Sequence, residues 1–244
     1  MTAIQKKNER YNKIVDETLK KLINLFGKHL VSVSSSLLAT DEFKPMLLIQ
    51  LDEPLTVLLR DKKVSPNGKS IKAVLKKVAD LQIHITTTRE MADFAADFPI
   101  ELVHIKKRYR RLYGDDPIVN MDVNFENVHS AVSVSIQEVL MRLRTAYLSQ
   151  HYDGLLVKNT VIQLYPTFES ALYLRSQSIP TGLREVVFKV ESCYNTKSGV
   201  LSEIAQSISM NKRSILVRNM LALLLALEEI LAGVKGLKGI GAAQ

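Results

Sequence analysis

The chain has 244 residues, 46% hydrophobic and 24% charged, which excludes a chain disordered throughout and supplies one large core or two small ones. Lys and Arg number 33 against 25 Asp and Glu, a net charge of +8, which favours acidic partners such as nucleic acid, nucleotides or anionic headgroups. A single cysteine, Cys193, excludes an internal disulfide and a thiolate zinc site and reads as an inert residue.

The chain begins with charged residues and carries no apolar run of signal-peptide type, so a cytoplasmic protein is expected. Residues 4–29 place Tyr11, Ile14, Val15, Leu19, Leu22, Ile23, Leu25 and Phe26 at the spacing of an amphipathic helix, with Gly27 as its stop. Two short strands are predicted over 30–38 and 46–51, joined by a polar connection that ends in Pro45. Ser65-Pro-Asn-Gly68 breaks the chain, and Ile71, Val74, Leu75 and Val78 repeat as a second helix whose wet face is lysine-rich. Residues 81–85 alternate as a strand in which His84 shares a face with Gln82. Thr87 and Glu90 then have the spacing of a capping box and open a short helix to about 96. A further strand is predicted over 98–105, and turn formers cluster at Tyr113-Gly-Asp-Asp-Pro117. This order describes an α+β unit over 1–117.

Beyond residue 122 helical periodicity replaces strand alternation, and 118–232 read as an all-α bundle. Its helices are predicted around 128–147, 155–175, 181–193, 198–209 and 213–232, the second stopped by Pro180. The longest charge-free apolar stretch near the C-terminus, from Met220 to Leu227, lies between Arg218 and Glu228 and is too short to span a membrane. Leu221, Leu223, Leu224, Leu225, Leu227, Ile230 and Leu231 occupy more of the last helix's circumference than one buried stripe needs. The helical domain is therefore expected to carry a protein-partner or self-association surface. Residues 233–244 hold four of the ten glycines and read as a flexible tail.

The segment Phe98-Pro-Ile-Glu-Leu-Val-His-Ile105 through Leu112-Tyr-Gly-Asp-Asp-Pro117 resembles the "FP-hydrophobic-E … LYGEDP" stretch of bacterial two-domain nucleotidyltransferases. Residues 139–148 and Leu164-Tyr-Pro-Thr-Phe168 are similar to the first bundle helices of that superfamily, which has the layout of aminoglycoside nucleotidyltransferases. The resemblance implies a small mixed-sheet catalytic domain followed by a helical bundle. It also implies a Gly-Ser after the first strand, an Asp-x-Asp on the next and a third carboxylate later, because paired carboxylates hold the metal that positions the nucleotide's phosphates.

The family pattern is incomplete here. The Gly-Ser position falls on Ser35-Ser36. One register places Lys44 and Met46 where the carboxylates belong; the other places Gln50-Leu-Asp52 there. Neither supplies two carboxylates two residues apart, and one carboxylate holds Mg²⁺ poorly. The expectation is a catalytically degenerate member, with no metal or other cofactor, acting as a binding module; Ser35, Ser36, Asp52 and Glu101 are the residual site candidates. An active enzyme with relocated ligands, among them Asp41 and Glu42, would need Mg²⁺ and a nucleoside triphosphate. Lys106, Lys107, Arg108, Tyr109, Arg110 and Arg111 put five bases around one aromatic, a candidate for weak nucleic-acid binding. Arg144 and His151 have the spacing of the Arg and His of nucleotidyltransferase-allied helical nucleases, the third reading.

Overall fold

The computed structural model describes residues 3–36, 46–61, 82–210 and 217–237. The helix expected over 71–78, the connection holding Asp41, Glu42 and Lys44, and the start of the last helix all lie outside the described residues. The chain divides into two compact units, residues 1–97 with 105–122 and residues 98–104 with 123–244.

In the first unit, α1 (Ala3–Phe26) passes through a 3₁₀ turn into β1 (Leu30–Ser36), followed by β2 (Met46–Leu51) and α2 (Leu55–Arg60). β3 (Gln82–Thr87), α3 (Thr88–Asp97) and β4 (Tyr109–Gly114) complete it, while α4 (Pro99–Arg108), between α3 and β4, is divided between the two units after His104. The strands form one mixed sheet in the order β3-β2-β1-β4, with β2 parallel to β3 and the other pairs antiparallel.

One sheet face is apolar: Val33, Leu47, Ile49 and Leu51 pack with Val15, Leu22 and Phe26 of α1. Leu30 joins the same core although it is three residues from Val33, because the β1–β2 register shifts between Leu30 and Ser32. A bulge there restores the inward direction that strict alternation would have lost. Gly114 sits opposite this irregularity at φ +68°, and a Cβ on it would meet the Val31 carbonyl oxygen at 1.8 Å. Only glycine fits that approach.

The capping box is present: the Thr87 N–H donates to Glu90 Oε2 at 2.7 Å and the Glu90 N–H donates to Thr87 Oγ1 at 3.1 Å. The strand expected over 98–105 is instead helix α4. Pro99 stands in its first turn with Glu101, and Lys106, Lys107 and Arg108 occupy its last turn, the charge order that a helix dipole favours. The fourth strand begins at Tyr109 rather than Phe98, as β4.

The second unit holds α5 (Phe125–Leu148), α6 (Gly154–Gln163), α7 (Tyr165–Leu174), α8 (Leu183–Tyr194), α9 (Val200–Ser209) and α10 (Met220–Lys235). Asn124 and Asp153 cap α5 and α6 by accepting from the N–H groups of Asn127 and Leu156. The helix expected over 155–175 is two helices, α6 and α7, because Pro166 in the first turn of α7 supplies no N–H to continue the earlier ladder. α7 is the helix enclosed on nearly every side, with Tyr165, Phe168, Ala171 and Leu172 fully buried. α10 runs to Lys235, and Val234 and Leu237 are buried. Residues 233–237 therefore do not belong to a flexible tail, and 238–244 lie outside the described residues. Among the described residues, no helix is long and apolar enough to cross a membrane.

Candidate functional site

The sheet face turned away from α1 is the polar one. Ser32 and Ser34 of β1 pair with Gln50 and Leu48 of β2, and Leu48 and Gln50 pair in turn with His84 and Thr86 of β3. Alternation puts these side chains on one face. Ser32 donates its hydroxyl to Gln50 Oε1 at 2.9 Å with both residues buried, while the buried Ser34 Oγ finds no hydrogen-bond partner among the described residues. His84 is half-buried on the same face.

Beside Gln50 lies a depression of about 420 Å³, walled by Thr88, Met91 and Ala95 of α3 and by Asn120 and Asp122 of the segment after β4. Its lining is a carboxamide pair, a hydroxyl and one carboxylate over an apolar floor. That chemistry can hydrogen-bond a neutral polar ligand. It presents one carboxylate, where a two-carboxylate cation clamp needs a second.

The site residues expected from the sequence each have a different local setting. Ser35 pairs with Leu47 and Arg110, so its side chain shares the face of Val33, toward the apolar core rather than the open face. Ser36 ends β1 opposite Tyr109. Asp52 follows β2, and His29 Nδ1 lies 3.1 and 3.0 Å from its two carboxylate oxygens, while the Asp52 N–H donates to the His29 carbonyl. The Asp52 carboxylate is thereby committed to its own strand end. Glu101 is an exposed residue in the first turn of α4, on a helix rather than the strand where a third carboxylate was expected. Among the described residues, no group of three or more His, Cys, Asp and Glu side chains is placed to hold a metal ion.

The basic run 106–111 does not form one cationic surface. Lys106 donates its ammonium to the carbonyls of Met121 and Val119, and Arg108 is 6% exposed. Tyr109 donates its hydroxyl to Asp116 at 3.1 Å, and its pKa is raised by desolvation and by that carboxylate. Arg110 and Arg111 are exposed, but as neighbours on β4 they point to opposite faces of the sheet.

Arg144 and His151 each have a different partner. Arg144 donates to Glu228 of α10 at 2.8 Å; His151 lies past the end of α5, its Nδ1 2.6 Å from the Ser149 carbonyl oxygen. No hydrogen bond joins the two among the described residues.

Two buried carboxylate arrangements in the second unit were invisible in the sequence. Glu169, fully buried, meets His104 Nδ1 at 2.5 Å, and the His104 ring stands edge-on to Tyr165. A carboxylate so enclosed needs a hydrogen-bonded partner, and its partner is 65 residues away in sequence. Glu191 of α8 caps α9 from another helix, accepting the N–H groups of Leu201 and Ser202 at 2.7 and 3.2 Å and also the Ser202 hydroxyl. Spacing gives no signal for either; only a contact map does.

No family model matches the chain, and no curated protein does. Among solved structures, the chain is similar to a spectinomycin adenyltransferase, AAD(9), from Enterococcus faecialis, determined with ATP and spectinomycin. The two are 15% identical with a TM-score of 0.52, over 92% of this chain and 99% of that one. At that identity the likeness establishes the fold: an α+β nucleotidyltransferase-like domain with a helical region.

Proposed function

We propose that this chain is a nucleotidyltransferase-fold protein whose metal site has been lost and whose role is binding, through its helical domain, to a protein partner or to itself. The observation that carries the reading is the state of β2. In one register the position of the paired carboxylates is held by Gln50, already bonded to Ser32, with Asp52 committed to His29. In the other register the sequence supplies Lys44 and Met46. A phosphoryl transfer that relies on bridging cations has no second carboxylate to hold them in either case. Folds outlive the chemistry they first carried.

ATP and spectinomycin, the molecules found with the structural neighbour, supply the probes. Purified protein incubated with Mg²⁺ or Mn²⁺, ATP and spectinomycin is expected to release no pyrophosphate above a protein-free control. Metal-dependent release with a saturating rate would establish the enzyme with relocated ligands instead. Nucleic-acid binding through Lys106 to Arg111 is expected to be weak and independent of sequence, since Lys106 and Tyr109 are engaged internally and Arg108 is buried. The nuclease reading is the least supported, since Arg144 and His151 each serve a local structural contact.

A further inference from the structure

We infer that the groove between α8 and α9 is a binding site for a short free peptide, one that carries both a terminal ammonium and a terminal carboxylate. Its occupation depends neither on the state of the metal site nor on a protein partner.

The groove is a cavity of about 920 Å³ that lies wholly within the second unit. A largely apolar cavity of this size with a few convergent polar groups is the usual form of a small-ligand site. Its walls are fixed before any ligand arrives. Glu191 of α8 accepts the Leu201 and Ser202 N–H groups, which sets the start of α9 beside the last turn of α8. Lys189 donates its ammonium to the Ser178 hydroxyl and carbonyl at 2.6 and 2.7 Å, tying the chain before α8 to the middle of that helix. Phe188 stands midway along the groove and is 66% exposed. Arg184, on the α8 wall, lies one turn before Phe188, toward one end. Glu203, on the α9 wall, follows Ser202 and lies toward the other end, where Glu191 meets α9. Arg184 and Glu191 are separated by about 10 Å of helix. Neither Arg184 nor Glu203 makes a side-chain hydrogen bond or ion pair among the described residues.

The charges select the occupant. Besides Arg184 and Glu203, the lining holds Glu185 next to Arg184 and Lys189 in the middle, so positive and negative side chains balance. Glu185 keeps the Arg184 end from becoming strongly cationic, which favours a single carboxylate over a multiply charged phosphate. A guanidinium meets a carboxylate with two parallel N–H donors, and the Glu203 carboxylate accepts from an ammonium. A nucleic acid or an anionic lipid surface satisfies only one of the two signs. An extended tripeptide measures about 10 Å from its amino nitrogen to its carboxyl carbon. That length matches the separation of the two charges and sets the middle side chain against the Phe188 ring, where an aromatic group packs best.

Calorimetric titration of the full chain with the tripeptide Ala-Phe-Ala, to about 5 mM, tests this. Saturable binding is expected. Acetylating the peptide's amino terminus, or amidating its carboxyl terminus, is expected to weaken binding by at least about 10-fold. Arg184→Gln is expected to weaken the free peptide by a similar factor and to leave the amidated peptide unaffected, while Glu203→Gln does the same for the acetylated one. Both side chains are exposed, so far-UV circular dichroism is expected to stay unchanged. Should a variant misfold, the two capped peptides decide the matter on the wild-type chain alone. Absence of saturable binding by the free peptide overturns the inference, as does binding that either cap leaves unchanged.

Discussion

Gly233 offers a quantitative test of the bundle's packing. It lies within α10, and a Cβ there would stand 2.6 Å from Cδ1 and 3.3 Å from Cε1 of Tyr194 on α8. The tyrosine cannot easily retreat: it is 6% exposed, its hydroxyl donates to the Ala171 carbonyl at 2.8 Å, and the Arg175 guanidinium lies 5.0 Å from its ring centroid. In an open helix, Gly→Ala stabilises by about 1 kcal/mol. Forcing a methyl into a close-packed site costs about 1–3 kcal/mol, and the pinned ring puts this case in the upper half of that range. Gly233→Ala should therefore destabilise by about 1–2 kcal/mol net, lowering Tm by about 4–8 °C at about 4 °C per kcal/mol. Thermal unfolding followed by the helical circular dichroism signal reads this out. In a Tyr194→Leu background the methyl gains room, so the same substitution should turn neutral or stabilising by up to about 1 kcal/mol. If Gly233→Ala raises stability with Tyr194 in place, the packing argument is wrong.

Three further outcomes follow from the same contacts. Desolvation pushes the Tyr194 pKa up to about 12, with Arg175 opposing it, against an ordinary value near 10. Above pH ~10 the unfolded chain ionises first, so stability should be intact below that pH and fall as pH rises toward about 12; denaturant unfolding across this window should lose part of that slope in Tyr194→Phe. Thr87→Ala removes half of the capping box and should cost about 1 kcal/mol in urea unfolding; no change in midpoint would deny the box a stabilising role. Glu191→Ala leaves the first N–H groups of α9 without their acceptor, at a cost of about 1–3 kcal/mol, and should speed amide exchange at Leu201 and Ser202 selectively.

What the sequence disclosed followed from local physics. The Thr87–Glu90 box, the β1 and β2 runs and the long helix α5 rest on periodicity and side-chain caps, which act within a few residues. The misplaced fourth strand is instructive. Residues 98–105 are a short apolar run, and such a run does not distinguish helix from strand by period alone. Pro99 at the start, Glu101 in the first turn and three bases at the end were the signals that decide for a helix. β4 was obscured because Arg110 and Arg111 sit side by side and break the apolar alternation of an edge strand. Leu221 and Leu225 were correctly marked as part of an excess on the last helix, yet only the structure distinguishes them, both exposed, from the buried Leu223, Leu224, Leu227 and Ile230.

The candidate site was legible mainly as a missing pattern. The sequence places no Asp-x-Asp on the second strand, and that reading needs no coordinates. It could not reveal that Ser35 faces the core while Ser32 and Ser34 line the open face, because the bulge after Leu30 changes which residues alternate inward. Nor could it join His29 to Asp52 or His104 to Glu169, contacts that depend on how distant elements meet.

The central claim, that paired metal-binding carboxylates are gone from the sheet, is tested most directly by calorimetric titration of the full chain with ATP and with GTP, each with and without Mg²⁺. The account predicts no resolvable heat of binding at about 100 µM nucleotide, with or without the metal. A saturable isotherm in the micromolar range that disappears when Mg²⁺ is removed would contradict it.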